Sequence, residues 1–172
     1  MMSSRSEIPL EGLKQTEIDW LVRQGVTVPA MVKRTTIRST TGVKAADGRF
    51  EFEEAGDRWL AFEQEDDVIF WQPRVGAVAT YAGRDFALGE DVLDDAATYA
   101  FDYSLNILAD PLDWLRANRN GIVVLDWSRA FDRLRDAPRI ALAEQLLPLY
   151  RRHMKPLRMP DLMIIPDRRR AA

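Results

Sequence analysis

The stretch RFEFEEAGDRWLAFEQEDDVIFWQPRVGAVATY, residues 49–81, decides the fold. Apolar and polar residues alternate over 49–54, which is the period of a β-strand. The same period over 58–64 places Leu60 and Phe62 on one face of a strand and Trp59 and Ala61 on the other. Ala55, Gly56 and Asp57 predict a turn between these segments, so the two strands should form a β-hairpin. A second turn at 65–67 leads into an apolar strand over 68–71, and 77–81 predicts another strand. We therefore expect an antiparallel β-meander of four to five strands.

Helical patterns flank this sheet on both sides. Thr16 is a favourable N-cap for a first helix that ends near Gly25. The apolar residues of 89–108 fit the spacing of a helix, and a helix is the prediction that we prefer for this segment. The alternative is a strand, because Tyr99, Phe101 and Tyr103 alternate. The C-terminal half predicts a helix, a short strand and two further helices, over about 110–119, 122–125, 126–137 and 139–153.

The predicted fold class is α+β: the meander carries an N-terminal helix and a C-terminal helix–strand–helix–helix segment packed on it. The first helix of that segment is the best defined, because Asp110 is an N-cap and Pro111 fills the first helical position. The domain organisation that follows is a flexible lead-in over 1–12, one domain over 13–155 and a Pro/Arg-rich tail over 156–172.

The composition excludes several classes of protein. With 172 residues, 47% hydrophobic and 30% charged, the chain suits one globular domain. It has no cysteine, which excludes disulfides, Cys-ligated zinc, iron–sulfur clusters and thiol catalysis. No glycine-rich phosphate loop is present, so we expect no cofactor. The N-terminus lacks a signal-peptide core and no apolar run could span a membrane, so we expect a cytoplasmic protein.

Charge is divided along the chain. Residues 1–40 hold 6 basic and 4 acidic side chains, 41–113 hold 5 and 17, and 114–172 hold 13 and 6. The preferred interpretation is that the acidic middle and the basic C-terminal third pair with each other in the fold. The alternative is that the basic third faces an anion such as nucleic acid, because guanidinium groups suit phosphates. The candidate contact residues are Arg116, Arg119, Arg129, Arg133, Arg151, Arg152, Arg168, Arg169 and Arg170.

For each candidate catalytic residue, the sequence favours a structural role over a catalytic one. Asp126 follows an apolar strand, as a magnesium ligand does in PIN-type nucleases, and it could act with Asp66 or Asp67 in a metal-dependent hydrolase. An N-cap role for Asp126 and a turn role for the acidic pair are the preferred interpretations. The single histidine, His153, lies among the cationic residues Arg151, Arg152 and Lys155 in the sequence and is expected at a solvated helix end. We assign no catalytic or metal-binding residue.

Three stretches in order, 48–52, 86–90 and 110–116 running into 121–127, resemble small uncharacterised accessory proteins of bacterial phages and mobile elements. That resemblance implies an accessory gene and carries no activity. The missing catalytic patterns, the five tryptophans and the acidic middle segment lead to the expectation of a non-catalytic accessory protein that acts through a protein partner, with the acidic segment or the Arg-rich tail as its contact surface. Nucleic-acid binding is the first alternative and metal-dependent hydrolysis the second.

Overall fold

A six-stranded antiparallel sheet forms the centre of the protein, with helices before and after it in the chain. The computed structural model describes residues 8–156, and the α+β class is confirmed. The strands are β1 (Glu11–Gly12), β2 (Arg38–Lys44), β3 (Phe50–Phe52), β4 (Asp57–Glu63), β5 (Val68–Gln72), β6 (Ala77–Thr80), β7 (Ala87–Leu88), β8 (Leu105–Ile107), β9 (Val123–Val124) and β10 (Ile140–Leu142). The α-helices are α1 (Gln15–Arg23), α2 (Val28–Val32), α3 (Pro111–Arg116), α4 (Ala130–Leu134) and α5 (Leu147–His153).

The sheet runs β1-β2-β4-β5-β6, and β3 pairs with β2. The predicted hairpin between 49–54 and 58–64 is therefore wrong, because both strands pair with β2 instead. Gly42 of β2 pairs with Phe52 of β3 and with Asp57 of β4, which places these strands on opposite edges of β2. The connecting turn crosses β2 so closely that a Cβ on Gly56 would lie 2.6 Å from the carbonyl oxygen of Gly42.

The sheet curls until its two ends meet. Arg49, which precedes β3, forms a parallel bridge with Thr80 at the end of β6, and the Thr80 amide donates to the Gly48 carbonyl at 3.3 Å. The concave face is filled by a core in which the Phe50 and Phe70 rings stack 3.8 Å apart. Four further buried residues complete this core: Trp59, Ala61, Val68 and Ala79.

The convex face of the same strands packs on the helices. Leu60 and Phe62 of β4 lie in a core with Leu21 of α1, Met31 of α2 and Trp114 of α3. The predicted alternation over 58–64 is thus confirmed, since Leu60 and Phe62 share one core while Trp59 and Ala61 share the other. Both faces of β4 are buried, as expected of an inner strand covered on both sides.

The helix ends follow their capping chemistry. Thr16 is not the N-cap of α1: the helix begins after Lys14, whose amide donates to the Glu17 carboxylate at 2.7 Å. Asp110 caps α3 as predicted, by accepting from the Asp113 amide at 2.9 Å. Asp126 caps the short 3-10 helix Trp127–Arg129 that leads into α4, as the preferred interpretation had it.

Two helical predictions in the second half are wrong. Over 89–108 the structure has 3-10 helices Glu90–Val92 and Ala96–Asp102, the second interrupted at Ala100 and Phe101, followed by β8. The helix predicted over 139–153 is replaced in its first part by β10, which pairs in parallel with β8. Pro148 lies in the first turn of α5 rather than inside a longer helix. No helix among residues 8–156 is long and apolar enough to cross a membrane.

Candidate functional site

The nine arginines predicted to contact an anion do not form one surface. Arg168, Arg169 and Arg170 lie outside the described residues. Arg151 and Arg152 are exposed on α5, and their side chains form no hydrogen bond or ion pair within residues 8–156. The other four arginines are used inside the fold, and they are described in turn.

Arg119 is buried, with only 5% of its surface exposed. Its Nη1 donates to the carbonyls of Lys33 and Thr35, and its Nη2 donates to the carbonyl of Met31 at 3.2 Å. The guanidinium carbon lies 5.2 Å from the centre of the Trp114 ring. Burial, together with the nearby charge of Arg34, lowers the pKa of Arg119 to about 10. Arg119 therefore fixes the segment after α2 and does not face solvent.

Arg116 has a similar structural role at the end of α1. Its Nε donates to the Gln24 carbonyl at 2.7 Å, and its Nη1 pairs with Asp113 at 3.2 Å. The Gln24 carbonyl belongs to the helix C-cap, where unpaired carbonyls are normally found. A guanidinium held in this way supplies a cap and leaves few donors for a phosphate.

Arg129 and Arg133 line a cleft of about 650 Å³, which lies between the turn that connects β4 to β5 and the C-terminal half of the chain. Arg133 pairs with Glu90, whose carboxylate also accepts from the Phe86 amide at 2.7 Å. Arg129 donates to the Arg84 carbonyl at 2.9 Å. The cleft is lined by the arginines Arg34, Arg84, Arg119, Arg129 and Arg133 and by the acids Glu63, Glu65, Asp66, Asp85, Glu90, Asp91 and Asp94.

Asp85 is the cleft carboxyl with the most altered environment. Burial raises the pKa of Asp85, the hydrogen bond from the Gln64 amide lowers it, and the acids Asp67, Glu90 and Asp66 raise it further. Gln64 also donates to the Ala87 carbonyl at 3.1 Å. The cleft thus holds a half-buried carboxyl with a raised pKa, and the guanidinium groups of Arg34, Arg119, Arg129 and Arg133 that line it already have partners within the fold.

The charge division is resolved in part by direct pairing. Arg116 pairs with Asp113, Arg133 with Glu90, and Arg139 with Asp102, so the basic third forms three ion pairs with the acidic middle. All three pairs are at least partly exposed, and the least exposed of them, Arg133 with Glu90, has side-chain exposures of 36% and 19%. Such pairs contribute little to stability individually, but they occupy arginines that a nucleic acid would need.

The acids considered for metal binding organise backbone turns. The buried Asp67 carboxylate accepts from the amides of Val68, Ala82 and Arg84 at 2.7–2.8 Å. Asp126 accepts from the Ser128 amide at 3.0 Å. In the described part of the chain, no group of three His, Cys, Asp or Glu side chains is placed to hold a metal ion. The half-buried ring of His153 lies 6.4 Å from that of Trp127.

A loop to which the sequence assigned no function exposes aromatic side chains. We call residues 99–103 the aromatic loop. Phe101 is 92% exposed and Tyr103 is 65% exposed, whereas Tyr99 is half-buried and donates from its hydroxyl to the Leu93 carbonyl at 3.0 Å. Phe101 and Asp102 have positive φ angles of 52° and 65°. The alternation of the three aromatic residues was visible in the sequence, but the left-handed backbone that exposes Phe101 was not.

Comparisons with protein-family models, with curated proteins and with solved structures find no match to this chain. The proposed function therefore depends on the geometry of the chain itself.

Proposed function

We propose that this is a non-catalytic accessory protein that acts by binding another protein, with the aromatic loop as its contact surface. The accessory role in a phage or mobile element, implied by the sequence resemblance, belongs to the same proposal. The observation that carries it is the exposure of Phe101, 92% of whose surface faces solvent on a strained backbone. Exposed aromatic residues are enriched at protein interfaces because they bury a large apolar area on binding.

The loop is held in place by several contacts. The Arg139 guanidinium donates to the Tyr103 carbonyl at 3.2 Å and to the Tyr99 carbonyl at 3.1 Å, and it pairs with Asp102. At the other end, the Thr98 hydroxyl donates to the Val92 carbonyl at 2.6 Å. A loop fixed before binding loses less conformational entropy when its partner arrives. The anchors therefore favour a rigid contact.

The backbone of the loop carries strain that the fold does not use for packing. A left-handed conformation costs a non-glycine residue about 1–2 kcal/mol. Two consecutive residues, Phe101 and Asp102, adopt it, and both side chains point into solvent. Strain of this kind concentrates at functional sites. It favours a role for the displayed side chain outside the protein's own core.

The chemistry of the loop defines its partner. Asp102 and Tyr103 flank Phe101, and the exposed acids Asp94 and Asp95 precede the loop. A complementary surface has an apolar pocket for the Phe101 ring and a basic rim for the carboxylates.

The experiment places a photo-crosslinking phenylalanine analogue at position 101 in the full chain, expressed in its own host cells. Val75, which is 67% exposed in a turn, takes the same analogue as the matched control. We expect a discrete crosslinked protein from position 101 and none from position 75. The identified partner should then lose at least about tenfold in affinity for Phe101→Ala, as for an interface hot spot. Equal crosslinking at both positions, or unchanged affinity, would contradict the proposal.

Nucleic-acid binding is the second candidate, favoured by the exposure of Arg151 and Arg152 on α5. The measurement is retention of single- and double-stranded DNA and RNA against salt concentration, because phosphate contacts weaken steeply as counterions are released. Binding that falls with salt and is lost in Arg151→Ala/Arg152→Ala would support it. No retention at low salt would remove it.

A further inference from the structure

We propose that the outer edge of β6 binds a short extended peptide with alternating apolar and basic side chains, which adds to the sheet as one more strand. This site is separate from the aromatic loop and does not depend on it. It is carried by an unpaired stretch of strand backbone, by a groove along that stretch and by the acidic charge of the groove.

The amide and carbonyl groups of Val78 face the outer edge of β6, away from β5. The Tyr81 amide donates to the Val68 carbonyl at 2.8 Å, which makes Val68 and Tyr81 a hydrogen-bonded pair of the β5–β6 ladder. Hydrogen-bonded and non-hydrogen-bonded pairs alternate along an antiparallel ladder. The amide and carbonyl of Val78, which pairs with Trp71, therefore face the outer edge, as does the Thr80 amide that bonds to Gly48.

The edge is covered only at its end. The bridge between Thr80 and Arg49 closes the curled sheet there, but in the part of the chain that the structure describes no group bonds to the outward amide and carbonyl of Val78. An uncovered strand edge is a template for pairing with another chain. Addition of a strand at such an edge is a recurring mode of peptide recognition.

A groove of about 550 Å³ runs along the same edge. The residues of β6 form one wall, and β9 with the start of α3 forms the other. The strand has four residues, and the last of them, Thr80, is bridged to Arg49, so the uncovered part offers roughly 10 Å of edge at a rise of about 3.3 Å per residue. The facing wall is apolar and includes Pro111, Val123, Val124 and Leu125.

The rim of the groove is acidic. Four aspartates line it, against one lysine, Lys44: Asp47, Asp85, Asp110 and Asp126. Asp110 and Asp126 each cap a helix through one carboxylate oxygen, and both also line the groove. A bound peptide would place apolar side chains against β9 and basic side chains towards these carboxylates. An antiparallel orientation lets a single peptide residue exchange both hydrogen bonds with Val78.

The test uses a terminally blocked five-residue peptide that alternates Lys and Val, titrated into the full chain and followed by amide chemical shifts. We expect saturable binding with shifts concentrated at 76–80 and 123–126. The same peptide N-methylated at its inner amides should bind at least about tenfold more weakly, since it cannot donate to the edge. A peptide that alternates Glu and Val should bind at least about tenfold more weakly because of the acidic rim.

Protein variants provide matched controls. Val78→Pro removes the outward amide without touching a ladder bond and should weaken binding about 2–10-fold. Asp110→Asn combined with Asp126→Asn keeps both caps, because Asn caps helices as well as Asp does, and should weaken binding by several-fold. Asp57 is exposed and lies outside the groove, so Asp57→Asn should leave binding unchanged.

Three results would overturn the proposal: equal binding of the acidic and basic peptides, equal binding of the N-methylated peptide, or no saturation at millimolar peptide. The N-methylated peptide keeps the test valid if Val78→Pro does not fold. Phe101→Ala should bind the basic peptide as well as the wild type does, so failure of the aromatic-loop proposal and failure of this one are distinguishable.

Discussion

Replacement of Phe101 by glycine should stabilise the protein. The residue has a φ of 52°, a conformation that costs a non-glycine residue about 1–2 kcal/mol and glycine almost nothing. Glycine loses about 0.5–1 kcal/mol through the extra freedom of the unfolded chain. Loss of the ring itself costs almost nothing, because Phe101 is 92% exposed. The expected net gain in the free energy of unfolding is about 0.8 kcal/mol, within limits of about 0 and 1.5 kcal/mol.

The assay is urea unfolding at pH 7, followed by the fluorescence of the five tryptophans. At a slope of about 2 kcal/mol per molar urea, the midpoint should rise by roughly 0.4 M with the slope unchanged. Phe101→Ala keeps the strain and should lie within about 0.5 kcal/mol of the wild type.

Val75→Gly is the matched control, because Val75 is exposed and its φ is not positive. That variant should lose about 0.5–1 kcal/mol, the opposite sign to Phe101→Gly. A loss of 1 kcal/mol or more in Phe101→Gly would mean that the ring packs within the fold, and the reasoning that it is displayed for a partner would be refuted.

Three further substitutions test the buried polar contacts. Asp67→Ala should cost about 3–5 kcal/mol, because three backbone amides lose a charged acceptor, and a loss under 1 kcal/mol in urea unfolding would count against that role. Arg119→Met should cost about 2–4 kcal/mol by leaving its carbonyl acceptors unpaired, with Arg116→Met, at an exposed site, as the milder comparison in thermal unfolding. Because the pKa of Asp85 is raised in the fold, ionisation of Asp85 removes stability as the pH rises above the ordinary value of an aspartate. The free energy of unfolding of Asp85→Asn relative to the wild type should therefore increase over that rise, and a difference independent of pH would contradict this.

Local signals in the sequence predicted the local structure well. The alternation over 58–64 and the apolar run over 68–71 became β4 and β5, and Asp110 caps α3 as its position before Pro111 indicates. These features depend on neighbouring residues, which the sequence displays directly.

The wrong predictions involve partners distant in sequence. Residues 140–142 have an apolar spacing that suits a helix, yet they form β10 because β8, more than thirty residues earlier, offers a parallel edge. The pairing of β3 with β2 rather than with β4 has a similar origin, since it depends on a close crossing of β2 by the connecting turn, where a Cβ on Gly56 would lie 2.6 Å from the Gly42 carbonyl oxygen. Secondary structure here was decided by tertiary pairing rather than by propensity.

The candidate site was predicted only in part. The sequence located the basic residues, and Arg129 and Arg133 do line a cleft. It did not show that the donors of Arg119 are used by carbonyls 84–88 residues earlier in the chain. Neither the positive φ of Phe101 nor the unpaired edge at Val78 has a sequence signal, because both arise from how distant segments meet.

Arg116 and Arg119 fasten the segment between α1 and β2 to the loop that follows α3. If the N-terminal helices detached alone, Arg119 would lose its hydrogen bonds to the carbonyls of Met31, Lys33 and Thr35, and a hydrogen bond to a charged group contributes about 1.5–3 kcal/mol. Separate opening of α1 and α2 therefore costs about as much free energy as opening of the entire domain. Amide hydrogen exchange in α1 and α2 should consequently report the same opening free energy as the central strands, so that these two helices and the sheet behave as one cooperative unit.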